Sequence, residues 1–192
     1  AARGQANSQA IEVKSVLVKL IDRAEVPARQ AGLLTEFVVA EGKNVEAGEL
    51  LARTDETEAR LAQRRAELEL KIARQKADNT AEVRAAEEEA RVAAADVKAA
   101  SLARERRPDS VSLSEWDHLR LKAALAELRV ERARHEREVA ELSRQQRQAD
   151  FELATLRLEE RQVVAPFRGV VVERFRQRGE WVEPGDKILR LI

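Results

Sequence analysis

The chain has no cysteine, which excludes disulfides and thiolate metal sites without identifying a compartment. Aromatic residues are only 3% of the 192, against 36% charged residues, so a single thick globular core is disfavoured and an elongated molecule favoured. No stretch approaches the roughly 20 apolar residues that a membrane-spanning helix requires. The opening AARGQANSQA has neither an apolar signal core nor an initiator methionine, so the chain reads as a processed or truncated piece. An excess of either charge is missing too: 35 Lys and Arg balance 35 Asp and Glu, and no overall field draws the chain to nucleic acid or acidic lipid. What is present in quantity is Ala, Leu and Val interleaved with Glu and Arg, the composition of long helices packed through a narrow seam.

Glycine and proline divide the chain. From Ile11 to about Asp55, short apolar runs are broken by Pro27, Gly32, Gly42 and Gly48, a strand-and-turn pattern. From about Glu56 to Arg161 there is no glycine and the only proline is Pro108, which predicts two helices with one break. From Val164 to Ile192 the β pattern returns, with Pro166, Gly169, Gly179, Pro184 and Gly185 as punctuation. The helices are therefore an insert.

The two β segments repeat one another. Gly32, Gly42, Val45, Gly48 and Leu51 keep the same mutual spacing as Gly169, Gly179, Val182, Gly185 and Ile188, and Val26/Val163, Ala28/Ala165, Glu36/Glu173 and Glu46/Glu183 fall on the same constant offset. Neither half can bury a face alone. The pair should form one small β-sandwich around Val26, Leu33, Val39, Val45, Leu51, Val164, Val170, Val182, Ile188 and Leu191, with the glycines supplying turns of positive φ.

In the insert, Asp55 and Glu58 suit a capping box opening the first helix. A heptad seam runs through Leu61, Arg65, Leu68, Ile72, Gln75 and Asn79, then Val83, Ala86, Ala90, Ala93, Val97 and Ala100, with one added step of four at Asn79 to Val83 that should unwind the supercoil locally. In the second helix the seam is Leu121, Leu125, Leu128, Arg132, His135, Val139, Leu142, Gln146, Ala149, Leu153 and Leu156, unbroken and expected to face the first. The charge-rich outer faces have two readings, solvated surface or packing against neighbouring copies of the same arm. At the break, Pro108 disfavours helical geometry at Arg107, and Ser112 with Glu115 forms a second capping box flanked by Val111 and Trp116 at the positions of a hydrophobic staple. Trp116 closes that staple, and a tip carrying Arg104, Arg106, Arg107, Val111, Ser112 and Trp116 also suits docking to a partner.

The run from Val163 through Ala165-Pro166-Phe167-Arg168-Gly169 to Val172, ending in Gly179-Glu180-Trp181-Val182-Glu183-Pro184-Gly185, resembles the second half-motif of the periplasmic adaptor, or membrane fusion, proteins of the HlyD type. Val26-Pro27-Ala28 through Gly32-Leu33-Leu34, with Glu41-Gly42, Val45, Gly48 and Leu51, resembles the first half-motif, and the hairpin occupies the place the family gives it. The resemblance implies an α+β fold: a long antiparallel two-helix coiled-coil hairpin inserted between the halves of a biotinyl/lipoyl-like β-sandwich. The expected divisions are 1–25, a strand of a β-barrel that continues beyond this chain; 26–55, the first half of the lipoyl-like domain; 56–162, the hairpin, with its tip at about 105–116; and 163–192, the second half. It further implies a periplasmic subunit, anchored to the inner membrane in the full-length protein, linking an inner-membrane transporter to an outer-membrane channel in a ring commonly of six copies. Efflux members carry at the tip an Arg, a Leu four residues on and a Ser seven beyond that. Ser112 suits the Ser, but Glu105 and Ser101 stand in the other two places, so Ser112 alone is carried over.

Three other functions compete. Biotin and lipoate carriers share the β-fold, but their modified Lys lies in the short hairpin between the halves, where this chain has its helices, and no Met-Lys-Met or Asp-Lys-Ala sequence occurs. Independent catalysis has no constellation: His118 and His135 are the only histidines and neither stands in a ligand cluster, so no catalytic, cofactor or metal residue is named. A coiled-coil scaffold or tether unrelated to transport is the remaining alternative, since a fold does not fix a function.

Overall fold

The computed structural model describes residues 23–192, so the barrel strand expected within Ile11–Ile21 lies outside the described residues. The chain divides into two compact units: Glu56–Glu160, and the flanking segments that end at Asp55 and resume at Arg161.

The flanking unit is built from eight strands: β1 (Ala24–Pro27), β2 (Gly32–Phe37), β3 (Asn44–Val45), β4 (Leu50–Thr54), β5 (Gln162–Val164), β6 (Gly169–Arg174), β7 (Trp181–Val182) and β8 (Lys187–Leu191). They form two antiparallel sheets, β1-β8-β6-β3 and β5-β4-β2-β7. Exchanging each strand for its counterpart in the other half converts one order into the other, so the sequence repeat is also a repeat of pairing. The turns obey it as well. Ala28 N–H donates to the Asp186 carbonyl (2.8 Å) as Ala165 N–H does to Glu49 (2.9 Å), and Gly48 N–H donates to the Ala165 carbonyl (2.8 Å) as Gly185 does to Ala28 (2.9 Å). Each sheet takes strands from both halves, which is why neither half can stand alone.

Gly42, Gly48, Gly179 and Gly185 take positive φ, between 81° and 93°, as the turn pattern predicts. Gly169 answers to space instead: a Cβ there would lie 2.4 Å from the Ile192 carbonyl oxygen. Where the inserted unit departs and returns, the Thr54 hydroxyl and N–H both donate to the Arg161 carbonyl (3.1 and 3.0 Å), and the Arg161 guanidinium donates to the Ala31 carbonyl (2.8 Å).

The core consists of Val26, Ala28, Leu34, Val39, Val45, Leu51, Ala52, Val163, Ala165, Val171, Val182, Ile188, Leu189 and Leu191. Three expected members are corrected. Leu33 is 42% exposed while Leu34 is fully buried, and the buried residues are Val163 and Val171 beside only half-buried Val164 and Val170. In a strand the side chain alternates faces at every residue, so a slip of one position exchanges inside for outside.

The second unit contains α1 (Thr57–Asp78), α2 (Ala81–Arg106), a 3-10 turn (Pro108–Ser110) and α3 (Leu113–Glu159). At 47 residues α3 spans about 70 Å at 1.5 Å per residue. The N-cap position of α1 is Glu56, which accepts from Arg60 (2.7 Å), one residue beyond the expected Asp55. The first arm of the hairpin is two helices. Asn79 turns to an extended conformation (φ −75°, ψ 108°), and its Oδ1 accepts from Ala81 N–H (3.0 Å) at the restart. A local relaxation of the supercoil was the sequence expectation; the asparagine side chain, by bonding its own backbone, converts it into a break.

The seam of α1 and α3 lies on the face opposite to the expected one. Toward α3, α1 buries Ala59, Leu70, Ala73 and Ala77 with Gln63 and Ala66 half-buried, and α3 turns inward Ala123, Ala126, Val130, Ala133, Ala140, Phe151, Ala154 and Leu158. Both runs keep the heptad spacing but sit two residues before the leucine stripes, a rotation of about 200°. In α2 the expected seam stands, with Ala86, Ala93 and Ala100 buried and Ala90 and Val97 half-buried. Alanine faces alanine across much of the hairpin, which permits close approach. The leucines point away from it: Leu61 is 69% exposed, Leu121 59%, Leu128 58% and Leu142 58%. His135 lies with them on the outer face and is exposed.

Candidate functional site

Two features of the helical unit are candidates, its tip and its outer faces. At the tip α2 ends because Pro108 forces Arg107 out of helical geometry (φ −145°, ψ 107°), and the Arg107 N–H closes the last turn on the Ala103 carbonyl (2.9 Å). A single 3-10 turn follows, held by Ser110 N–H donating to the Arg107 carbonyl (3.0 Å). Ser112 then caps α3: its side chain accepts from Glu115 N–H at 3.1 Å, and its carbonyl accepts from Trp116 N–H at 2.9 Å. Replacing Ser112 by Ala should cost about 1 kcal/mol of local stability, and faster exchange of the Glu115 amide would register it.

The six tip residues do not form one cluster. Arg104, in the last turn of α2, lies over the Trp116 ring with 5.3 Å from guanidinium carbon to centroid, a pair worth about 0.5–1 kcal/mol at an exposed site. Both are half-buried, as is Val111, whereas Arg106, Arg107 and Ser112 are exposed. Among the described residues the side chains of Arg106 and Arg107 make no hydrogen bond or ion pair, which leaves two cations at the tip free. Sequence reading missed Leu113, which at 70% exposure is among the most open leucines, and gave no docking part to Leu102, 46% exposed one helical turn before Arg106. The signal for Leu113 was its place directly after the cap, outside either heptad seam.

The outer faces carry the expected leucine stripes as exposed apolar surface. On α3 the stripe keeps one heptad spacing from Leu121 to Leu156 with Leu125, Leu128, Val139, Leu142 and Leu153, and its apolar surface is interrupted by Arg132, His135 and Gln146. On the first arm it consists of Leu61, Leu68 and Ile72 in α1, continued in α2 by Val92, Leu102 and the small Ala85, Ala95 and Ala99. A helix with heptad stripes on two opposite faces is built to touch a helix on each side. Among the described residues no group of three or more His, Cys, Asp or Glu could hold a metal ion, and no helix is long and apolar enough to cross a membrane.

A β-sandwich whose duplicated halves are joined by a long helical hairpin is the architecture of a barrel-sandwich hybrid. Residues 22–191 match the family described as RND MFP, barrel-sandwich hybrid domain, and the chain belongs to that family of membrane fusion proteins. Membership gives it a structural rather than a catalytic part. No curated protein matches the sequence closely enough to count as a relative.

Solved structures share the fold, among them the following three. A candidate efflux transporter from Bacteroides eggerthii is 18% identical, with a TM-score of 0.51 over 97% of this chain and 48% of its own. The periplasmic adaptor protein EmrA is 18% identical, with a TM-score of 0.54 over 91% of this chain and 72% of EmrA. MacA from Actinobacillus actinomycetemcomitans is 20% identical, with a TM-score of 0.62 over 89% of this chain and 49% of MacA. The chain thus spans about half the length of two of the three.

Proposed function

We propose that this chain is the sandwich-and-hairpin portion of a periplasmic adaptor subunit, anchored to the inner membrane in the complete protein, that links an inner-membrane transporter to an outer-membrane channel in a secretion or efflux system. The observation that carries the reading is an arm of a membrane fusion protein with an exposed apolar stripe along each outer edge. Two different stripes on opposite edges cannot satisfy each other by a two-fold contact of one face with itself. They fit a head-to-tail contact, the α3 stripe of one copy against the α1–α2 stripe of the next, and such contacts close into a ring. The levels agree. The pairs Lys122–Asp96 and Arg147–Glu69 within the hairpin put Leu121, Leu125 and Leu128 at the height of Val92, Ala95 and Ala99, and Leu153 and Leu156 near that of Leu61. At these two levels, neighbours without axial stagger therefore meet apolar to apolar. Six copies is the number the family resemblance suggests.

In that arrangement the tips point together at one target, and Arg104, Arg106, Arg107, Val111, Ser112 and Trp116 are the residues assigned to the channel. The test is photo-crosslinking of the full-length protein in its native envelope from positions 112 and 116. Capture of an outer-membrane channel is expected. Capture of soluble proteins alone, with the protein missing from the envelope fraction, would sink the adaptor and leave a scaffold.

A further inference from the structure

The hairpin changes character near its middle, and four separate observations coincide there. The first arm is interrupted at Asn79–Thr80 while α3 runs through the same level without a break. The seam changes phase at the interruption. The inward residues Ala59, Gln63, Ala66, Leu70, Ala73 and Ala77 keep a heptad that would continue through 80, 84 and 87, but the inward residues beyond the break are Val83, Ala86 and Ala90, one residue early. A continuous helix would turn the α2 seam about 100° away from α3.

Side-chain pairs across the hairpin also stop. Below the break Gln63 bonds Thr155 (3.1 Å), Arg147 bonds Glu69 (3.0 Å) and Arg74 bonds Gln148 (2.8 Å); above it Arg134 bonds Glu87 (2.7 Å), Arg129 pairs with Glu89 and Lys122 bonds Asp96 (3.2 Å). Between these groups, among the described residues, no side-chain hydrogen bond or ion pair crosses. The hydrogen bonds of the α3 charges run along α3 itself: Arg132 bonds Glu136 (2.8 Å), and Arg144 bonds Glu141 (2.8 Å) and with Gln145 holds that carboxyl down to about 2, while Glu82 and Asp78 of the first arm act on Arg132 and Arg144 only through space. Finally, packing is open on both flanks. Cavities of about 310 and 210 Å³ lie on either side, the first bounded by Asp78, Arg134 and Glu141, the second by Asn79, Val83 and Ala140.

We propose that Asn79–Thr80 is a hinge that divides the arm into a base segment and a tip segment, with uninterrupted α3 acting as the flexing leaf. The helical hydrogen-bond ladder is absent on one side of this level, and no cross-pair stiffens it. The Asn79 side chain keeps the interruption from being a defect, because its bond to Ala81 N–H satisfies one of the amides a broken helix exposes. Bending at one level lets the tip shift sideways while both seams stay packed. The inference concerns the arm itself and stands whether or not its tip meets a channel.

Because this chain has no cysteine, spin labels can be placed in it selectively. In the full-length protein, labels at Ala62→Cys and Ala94→Cys straddle the break, and labels at Ala124→Cys and Arg157→Cys span a similar length of continuous α3; each pair is roughly 50 Å apart along a straight helix. Both pairs cross the level of the hinge, so pulsed dipolar measurements should give a broad distance distribution for each. Asn79→Ala with Thr80→Ala and one alanine inserted after position 80 restores both the helix and the heptad, and should narrow both distributions. Amide exchange of the parent protein supplies a readout free of labels and variants, with residues 78–83 exchanging faster than either flank. Distributions as narrow in the parent as in the repaired variant, or protection at residues 78–83 equal to that of the flanks, would overturn the hinge.

Discussion

Replacing Leu121, Leu128 and Leu142 together by Glu should leave the hairpin folded and abolish its association with neighbouring copies. Each of these side chains is more than half exposed in the single chain, so the substitutions remove no contact on which the hairpin depends. Burying a leucine contributes about 1.5–3 kcal/mol relative to leaving it exposed, and a carboxylate put in its place would have to be desolvated. Three such changes at every contact of a closed ring exceed what a non-obligate interface spares. Ala126→Leu is the complementary substitution. Ala126 is 3% exposed and lies on the inner seam, and extra methylenes in a packed seam cost about 1–3 kcal/mol. Sedimentation of the full-length protein reads the first effect as a loss of the oligomer, with far-UV circular dichroism unchanged; a thermal melt reads the second as a lower midpoint. Loss of helicity in the triple variant would mean that the leucine faces hold the hairpin together.

That contrast marks where the sequence was misread. Heptad spacing is present twice on α1 and twice on α3, two residues apart, and spacing cannot say which stripe faces the partner helix. Hydrophobicity favours the leucines, and in an isolated two-helix coil they would be inside. Here the inner stripe is rich in alanine, whose small side chain brings the helices close, and the leucines of the other stripe remain on the outer edges. The choice depends on how many neighbours a helix has, which no local pattern records. In α2 both stripes are rich in alanine, and there the expected seam of Ala86, Ala93 and Ala100 is the buried one.

The tip was more legible because it depends on local chemistry. Pro108 and Ser112 act over a few residues: Pro108 ends α2, and Ser112 accepts from the Glu115 N–H, which is one of the two bonds of the expected capping box. The break at Asn79 was legible as a position but not in kind. A heptad discontinuity says that phase must be corrected there; whether the helix unwinds or parts depends on a side chain able to satisfy the freed amide, and Asn79 is one.

Leu34→Ala should be among the most damaging single truncations in the β-sandwich, and Leu33→Ala should be nearly silent. Leu34 is fully buried at the centre of β2, and removing a buried leucine side chain costs about 2–5 kcal/mol. Typical domains hold about 5–15 kcal/mol in all, so this one change removes a large part of the sandwich's stability. Leu33, 42% exposed on the opposite face, should change stability by about 0.5 kcal/mol. The internal repeat explains the ranking. Carried across the constant offset, Val26 answers to Val163, Ala28 to Ala165, Leu34 to Val171, Val45 to Val182, Leu51 to Ile188 and Ala52 to Leu189, and every one of these residues is buried. Choosing Leu33 with Val170, or Val26 with Val164, breaks either the burial or the offset. Val171→Ala should therefore resemble Leu34→Ala in character, scaled to its smaller side chain, while Val170→Ala follows Leu33→Ala. Hydrogen exchange of the β8 amides separates the two classes, since β8 pairs with both β1 and β6 and joins the halves. Similar protection of β8 in the Leu34 and Leu33 variants would show that the two-sheet core is not the cooperative unit its symmetry describes.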